Sequence, residues 1–280
     1  MSSFIAALPM YDWPERRSET DAQWADIRDR LRAAGISAPE RLARRNADMP
    51  PVPDGIRDGQ GRVIAPDPAS LPPDGLDLFT LWRHPKMLFA QTCWGPLETS
   101  DLAGLVEVVG QPDYSDVEGG KGTLYSSVIV MRRDGRRAVE PPPRSAGRID
   151  HPHRGEAEPQ GDLPLDLLRG KRLAYNGPDS MSGFLALQRD IEAAGESLAI
   201  LAGTVETGSH RDSALAVVEG RADVAALDCR SWSLFRRFHP EAEKLNPVGW
   251  TSWRKGLPYV CAAALPADTR GELRRILSDF

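Results

Sequence analysis

Cysteine is scarce in this chain: three residues in 280, at Cys93, Cys229 and Cys261. None forms a C-x-x-C pair, so neither a disulfide framework nor a cysteine-based metal site is indicated. Long apolar runs are missing as well. No stretch is apolar enough to span a bilayer, which argues against membrane insertion. A surplus of positive charge is absent. The formal net charge is −5, and no broad basic face is advertised, which argues against a nucleic-acid partner. No Walker loop, G-x-G-x-x-G or G-x-S-x-G occurs. The run Met1-Ser2-Ser3-Phe4-Ile5-Ala6-Ala7-Leu8-Pro9 places no basic segment ahead of a long apolar one, so it does not read as a secretory signal. The expected location of the chain as given is the cytoplasm, with the periplasm as the alternative if a leader has been removed.

What is present is an ordinary globular composition, in a chain long enough for one large core or two lobes. Residues 4–8 read as a first strand. Thr20 or Asp21 can cap the helix that follows, in which Trp24, Ile27 and Leu31 recur at helical spacing until Gly35 stops it. A strand running into a helix points to an α/β domain with a parallel sheet. Residues 46–75, rich in Pro, Gly and Asp, read as a long surface loop. Further strands are expected at 87–90, 105–109, 124–131, 171–176, 198–201, 224–227 and 260–265. Helices are expected after Gly183, after Gly208, over 231–238 and over 269–277. Residues 132–160, charged and containing Pro141-Pro142-Pro143, read as a mobile excursion.

Open α/β sheets bind ligands where the carboxyl ends of strands turn into helices. Residues with suitable chemistry fall at five such places: Tyr11 and Asp12; Gln91, Thr92 and Cys93; Ser180, Met181, Ser182 and Gly183; Ser209 and His210; and Asp228. The two serine-containing turns stand at helix N-termini, where free N–H groups and the dipole favour an anion. Gly183 would let a ligand approach the backbone closely. Each residue also has a structural reading. Ser180 and Ser209 serve equally well as helix caps, and Asp228 as the cap of the helix that begins near Ser231. His210 can be a packed histidine and Tyr11 a packed aromatic. Asp12, which would repel an anion, fits better as a residue that orients a loop or holds a proton or an amine. Cys93 has no base in sequence reach to make it a nucleophile. His151-Pro152-His153 lacks a matching ligand set. No catalytic residue, metal or cofactor is assigned.

Taken in order, Leu8-Pro9-Met10-Tyr11-Asp12, Gln91-Thr92-Cys93 with Pro96-Leu97, Ser180-Met181-Ser182-Gly183, Gly208-Ser209-His210 with 222–228, and Gly256-Leu257-Pro258-Tyr259 resemble the phosphate/phosphite/phosphonate substrate-binding proteins of ABC transporters. The resemblance covers nearly the whole chain except 46–75 and 132–160. It implies a type II periplasmic-binding-protein fold: two α/β lobes, 1–104 plus 246–280 and 105–245, joined by two crossover segments with a ligand cleft between them. It also implies a solute-binding protein, not an enzyme, that clamps a small oxyanion and works with an ABC permease. The phosphonate group would lie against the turns at 180–183 and 209–210, with Tyr11 and Thr92 opposite and Asp228 reading an amine or another distal group. Trp94-Gly95 departs from the family, whose members often carry a glycine followed by an aromatic there. The alternative is a cytoplasmic enzyme or ligand sensor on the same fold, such as one handling a thiamine-precursor-like pyrimidine, with Cys93, His210 and Asp228 as its nominees.

Overall fold

The computed structural model describes residues 4–133, 139–141 and 162–278. The chain forms two compact units. Unit 1 comprises the residues up to Pro112 and those from Leu257 on; unit 2 is Asp113–Gly256. The chain therefore passes from one unit to the other twice, near residues 112 and 257 rather than near 104 and 246. Strand pairing explains the offset. The strand Val106–Gly110 pairs with Tyr259–Ala262 in unit 1, and Leu245–Trp250 pairs with Ser127–Arg132 in unit 2.

Unit 1 holds strands β1 (Ile5–Ala7), β2 (Ile56–Arg57), β3 (Val63–Ala65), β4 (Met87–Gln91), β5 (Val106–Gly110) and β14 (Tyr259–Ala262), and helices α1 (Arg17–Ala33), α2 (Leu78–Arg83), α3 (Trp94–Thr99) and α8 (Ala267–Leu277). Its main sheet has the order β1-β4-β14-β5. Only β1 and β4 run parallel; β14 is antiparallel to both of its neighbours. On α1 the buried residues are Thr20, Trp24, Ile27 and Leu31, a single stripe at the helical period. The ring of Trp24 stacks on Phe89 of β4 with centroids 5.8 Å apart. Gly35 ends the helix at φ +82°, a conformation costly for other residues. Neither Thr20 nor Asp21 caps this helix. Pro14 nucleates a 3-10 turn that carries the helical backbone in earlier, and the Thr20 hydroxyl donates to the Arg16 carbonyl. The stretch 46–75 is more structured than a loop. It contains the β2–β3 hairpin, and the buried Asn46 ties it down by donating to the Pro72 carbonyl and accepting from the Asp77 N–H.

Unit 2 holds β6 (Gly120–Lys121), β7 (Leu124–Tyr125), β8 (Ser127–Arg132), β9 (Arg172–Tyr175), β10 (Gly203–Glu206), β11 (Val224–Asp228), β12 (Leu245–Trp250) and β13 (Arg254–Lys255), and helices α4 (Leu165–Leu168), α5 (Ala186–Ala193), α6 (His210–Val218) and α7 (Cys229–Phe238). A five-stranded sheet runs β10-β9-β11-β8-β12, beside a small sheet β13-β7-β6. Strands β10, β9 and β11 are mutually parallel; β8 and β12 are antiparallel to their neighbours. The strand expected over 124–131 is two strands in different sheets, parted at Ser126, which bonds to the Gly119 and Thr251 carbonyls. The apolar residues 198–201 form a 3-10 turn, not a strand, because the Ser197 hydroxyl caps it by accepting from Ala199 N–H. The strand is the polar stretch β10. It lies at the sheet edge and is largely exposed, so it shows little apolar periodicity. The excursion 132–160, with His151-Pro152-His153, lies mostly outside the described residues. Val139, within it, bonds to Pro247 and to the Trp250 indole.

Candidate functional site

In unit 2 the chain leaves β9, forms α5 and returns as β10 on one side of β9. It then forms α6 and returns as β11 on the other side. The direction of winding reverses between β9 and β11, and such a switch point leaves a crevice at the carboxyl ends of the two strands. The turn at 180–183 follows β9, and Asp228 is the last residue of β11. The N-terminus of α6, with Ser209 as its cap, follows β10.

These three segments meet at one imidazole. His210 Nε2 lies 2.8 Å from Ser182 Oγ and 3.2 Å from Asp228 Oδ2. The Asp228 side chain is 2% exposed and that of His210 12%. Burial pushes the His210 imidazole below its ordinary range, opposed by the Asp228 carboxylate and then by the Ala226 carbonyl. Asp228 also accepts from the Ser231 N–H through Oδ1 at 2.8 Å, so it caps α7 as well as meeting His210.

The turn at 180–183 opens a helical segment that begins as one π-type turn, Met181–Leu185, and continues into α5. Ser180 caps it, with Oγ accepting from the Gly183 N–H at 3.1 Å, while Ser182 is free to aim its hydroxyl at His210. The Met181 side chain is buried and its sulfur accepts from Arg189. Gly183 has a cause the sequence did not show. A Cβ there would stand 1.8 Å from Asn176 Oδ1, so the neighbouring amide, not a ligand, is what excludes a side chain. Asn176, immediately after β9, is the residue that the sequence reading missed. Its Oδ1 is buried without a hydrogen-bond partner. Its position at a strand's carboxyl end was the available signal. Ser209 is used up locally: its Oγ accepts from the Asp212 N–H at 3.0 Å and donates to the Asp212 carboxylate at 2.6 Å.

Unit 1 places its candidates separately. Gln91 closes β4, with its carbonyl accepting from the Trp82 indole at 3.1 Å. Thr92 is fully buried; its N–H donates to the Pro258 carbonyl, and its Oγ1 has no partner. Cys93 stands at the N-terminus of the six-residue α3, which it does not cap with its side chain. Tyr11 is buried. Asp12 is held by an arginine. Arg44 grips both of its oxygens, through Nε at 2.5 Å and Nη2 at 3.1 Å, and also reaches Asp21 at 2.9 Å. The loop-orienting reading of Asp12 is the one that this geometry supports.

The unit-2 cluster contains a serine, a histidine and an aspartate, but it lacks the geometry of a proton relay. A relay needs the acid on one ring nitrogen and the nucleophile on the other, whereas both Ser182 and Asp228 meet Nε2. Among the described residues no group of three or more His, Cys, Asp or Glu is arranged to hold a metal ion, and no helix is long and apolar enough to cross a membrane.

A family model described as "ABC transporter, phosphonate, periplasmic substrate-binding protein" matches residues 101–280, well over half of the chain. No curated protein sequence matches it. Several solved structures share its fold. PhnD1 from Prochlorococcus marinus, in complex with methylphosphonate, is 13% identical, with 98% of this chain and 83% of that one covered at a TM-score of 0.58. A Xanthomonas citri protein bound to a chloride ion is 18% identical, covering 99% and 83% at 0.56. The binding-protein component of an ABC phosphonate transporter from Pseudomonas aeruginosa is 16% identical, covering 97% and 72% at 0.54. At these identities the structural likeness establishes the fold, that of the type II periplasmic binding proteins. The family model establishes membership: this chain belongs to the periplasmic substrate-binding proteins of phosphonate ABC transporters.

Proposed function

We propose that the chain reversibly binds a small tetrahedral oxyanion, phosphate, phosphite or a phosphonate, and delivers it to an ABC permease. The observation that carries this reading is the meeting of Ser182 Oγ and His210 Nε2 at 2.8 Å, each in the first turn of a helical segment. Two helix N-termini and two side-chain donors then bear on one position, where an anion is favoured by the N–H groups and the dipoles together. In the proposed site the Ser180 and Ser182 hydroxyls and the backbone at Met181 hold the oxyanion with His210, while the Gly183 N–H stays on the Ser180 oxygen.

The magnitudes are sufficient. A hydrogen bond to a charged group contributes about 1.5–3 kcal/mol. Four or five of them, less ordering and desolvation, reach the roughly −8 kcal/mol of micromolar binding. The relay-incompatible geometry at His210 favours binding over the catalytic alternative. Isothermal titration with phosphate, phosphite, methylphosphonate and 2-aminoethylphosphonate, with sulfate as a control, tests the proposal. Saturable heat with at least one of the phosphorus oxyanions is expected. Absence of heat and of any thermal shift with all of them overturns it.

A further inference from the structure

An oxyanion site beside Asp228 has an electrostatic difficulty. Asp228 is a buried carboxylate, and its Oδ2 lies against the same ring nitrogen that meets Ser182. A second anion brought to that nitrogen is repelled at low dielectric unless a positive charge stands between the two. Among the described residues, His210 is the titratable group that meets both Ser182 and Asp228. The Asp228 carboxylate lies 3.2 Å from Nε2, where a charged ring gains a charge-assisted hydrogen bond that a neutral ring accepting at Nε2 lacks. Nδ1 is buried without a hydrogen-bond partner.

Several other ionisable groups on elements packed against α6 have partners of their own. On β9, Tyr175 bonds to Glu206 and Arg172 to Asp223. On α7, Arg230 pairs with Asp116, and burial keeps the Cys229 thiol protonated. Arg132 of β8 stands by Gly220, beyond the far end of α6. On the turn Pro240–Lys244, Glu241 faces His239. On α6 itself, Asp212 is closed onto Ser209, and Arg211 follows His210 in sequence. Arg189 of α5 is turned to the Met181 sulfur. Among the described residues, Asp228 is the carboxylate within ion-pair distance of the ring.

We infer that His210 takes up a proton when the oxyanion binds, with Asp228 as the positioning residue that holds the charged ring, so that the site captures an anion and a proton together. The inference rests on the oxyanion reading above. It changes the part that Asp228 plays: with Oδ1 on the Ser231 N–H and Oδ2 on His210, this carboxylate acts through the histidine. Burial by itself favours the neutral ring. The arriving charge reverses that balance, and the affinity for a dianion then falls by about tenfold per pH unit above neutrality.

The test is titration of the full chain with methylphosphonate at about pH 8.5, in two buffers of different ionisation enthalpy, together with NMR of the histidine rings. The His210 signals are assigned with His210→Gln. Uptake of close to one proton per ligand is expected, with the His210 ring changing from neutral to imidazolium on binding. Asp228→Asn keeps a cap for α7, since asparagine caps as well as aspartate; in it the uptake should fall towards zero and the affinity at high pH by about tenfold or more. Binding without proton uptake, or a His210 ring that stays neutral in the wild-type complex, overturns this inference and leaves the oxyanion reading standing. No binding to any phosphorus oxyanion overturns both.

Discussion

Ser182 and Ser209 illustrate how two similar residues divide between a proposed binding role and a structural one. Both are serines at the start of a helical segment. Ser209 spends its oxygen as an acceptor from Asp212 N–H and its proton on the Asp212 carboxylate, whereas Ser182 points its hydroxyl at His210. Ser209→Ala should therefore lower stability by about 1 kcal/mol in urea denaturation while leaving phosphonate affinity nearly unchanged. Ser182→Ala should leave the unfolding midpoint in place and weaken binding by about 1.5–3 kcal/mol, roughly 10- to 100-fold, in calorimetric titration. An equal loss of affinity in both variants would contradict this division. Gly183 supplies a second contrast. A methyl group there meets Asn176 Oδ1, so Gly183→Ala should cost about 1–3 kcal/mol through overpacking. Asn176→Ala in the same chain should recover much of that loss, giving a coupling measurable in a double-mutant cycle.

At the scale of elements, the parallel triplet β10-β9-β11 positions the site. Strand β11 is buried along its whole length and ends on Asp228, so anything that loosens it moves the carboxylate. Leu227 is 1% exposed. Leu227→Ala should destabilise unit 2 by about 2–5 kcal/mol, and the His210–Asp228 contact should loosen with it. Comparing urea midpoints with phosphonate affinity checks both effects. Helix α1 and strand β4 fix unit 1 in the same way, through the Trp24–Phe89 stack. The elements that were legible beforehand are those with an apolar stripe or run and a clear stop: α1 with Gly35, α6 with Gly220, β4 and β11. Strand β10 was not legible, because an exposed edge strand needs no apolar residues. The division of 124–131 at Ser126 was not legible either, because β7 and β8 belong to different sheets and only their partners separate them.

For the whole molecule, among the described residues, two histidines have an imidazole pushed below its ordinary range, mainly by burial: His84 in unit 1 and His210 in unit 2. The bonding of His84 fits the neutral ring. Nε2–H donates to the Pro50 carbonyl at 3.0 Å, and Nδ1 accepts from the Lys86 N–H at 3.1 Å, a bond that a second proton would abolish. The folded-state pKa is depressed in both, so on acidification the unfolded chain takes up these protons first. Stability is therefore held above the ordinary imidazole value of about 6.5 and lost as pH falls below it. Urea unfolding at about pH 7.5 and pH 5.5 should show a clear loss at the lower pH. His84→Gln should reduce that loss without affecting ligand binding. At lower pH still, Asp223, held down to about 2 chiefly by the Arg172 guanidinium, is among the last carboxylates to protonate.

The amino-acid order by itself determined the mixed α/β character, most strands and helices, the glycine stops and the order of the motifs. These depend on interactions within a few residues: periodicity, capping and backbone sterics. It also presented Ser180, Ser182, His210 and Asp228 as candidates, since each lies where a strand ends or a helix begins. Only the tertiary structure decided what they do. Ser182 and His210 are 28 positions apart, and it takes the winding reversal between β9 and β11 to bring them together with Asp228. Sequence distance likewise hid the grip of Arg44 on Asp12 and the amide of Asn176 behind Gly183. Which hydroxyl is spent on a backbone and which meets a distant side chain depends on through-space distances of about 3 Å, and no local pattern records them.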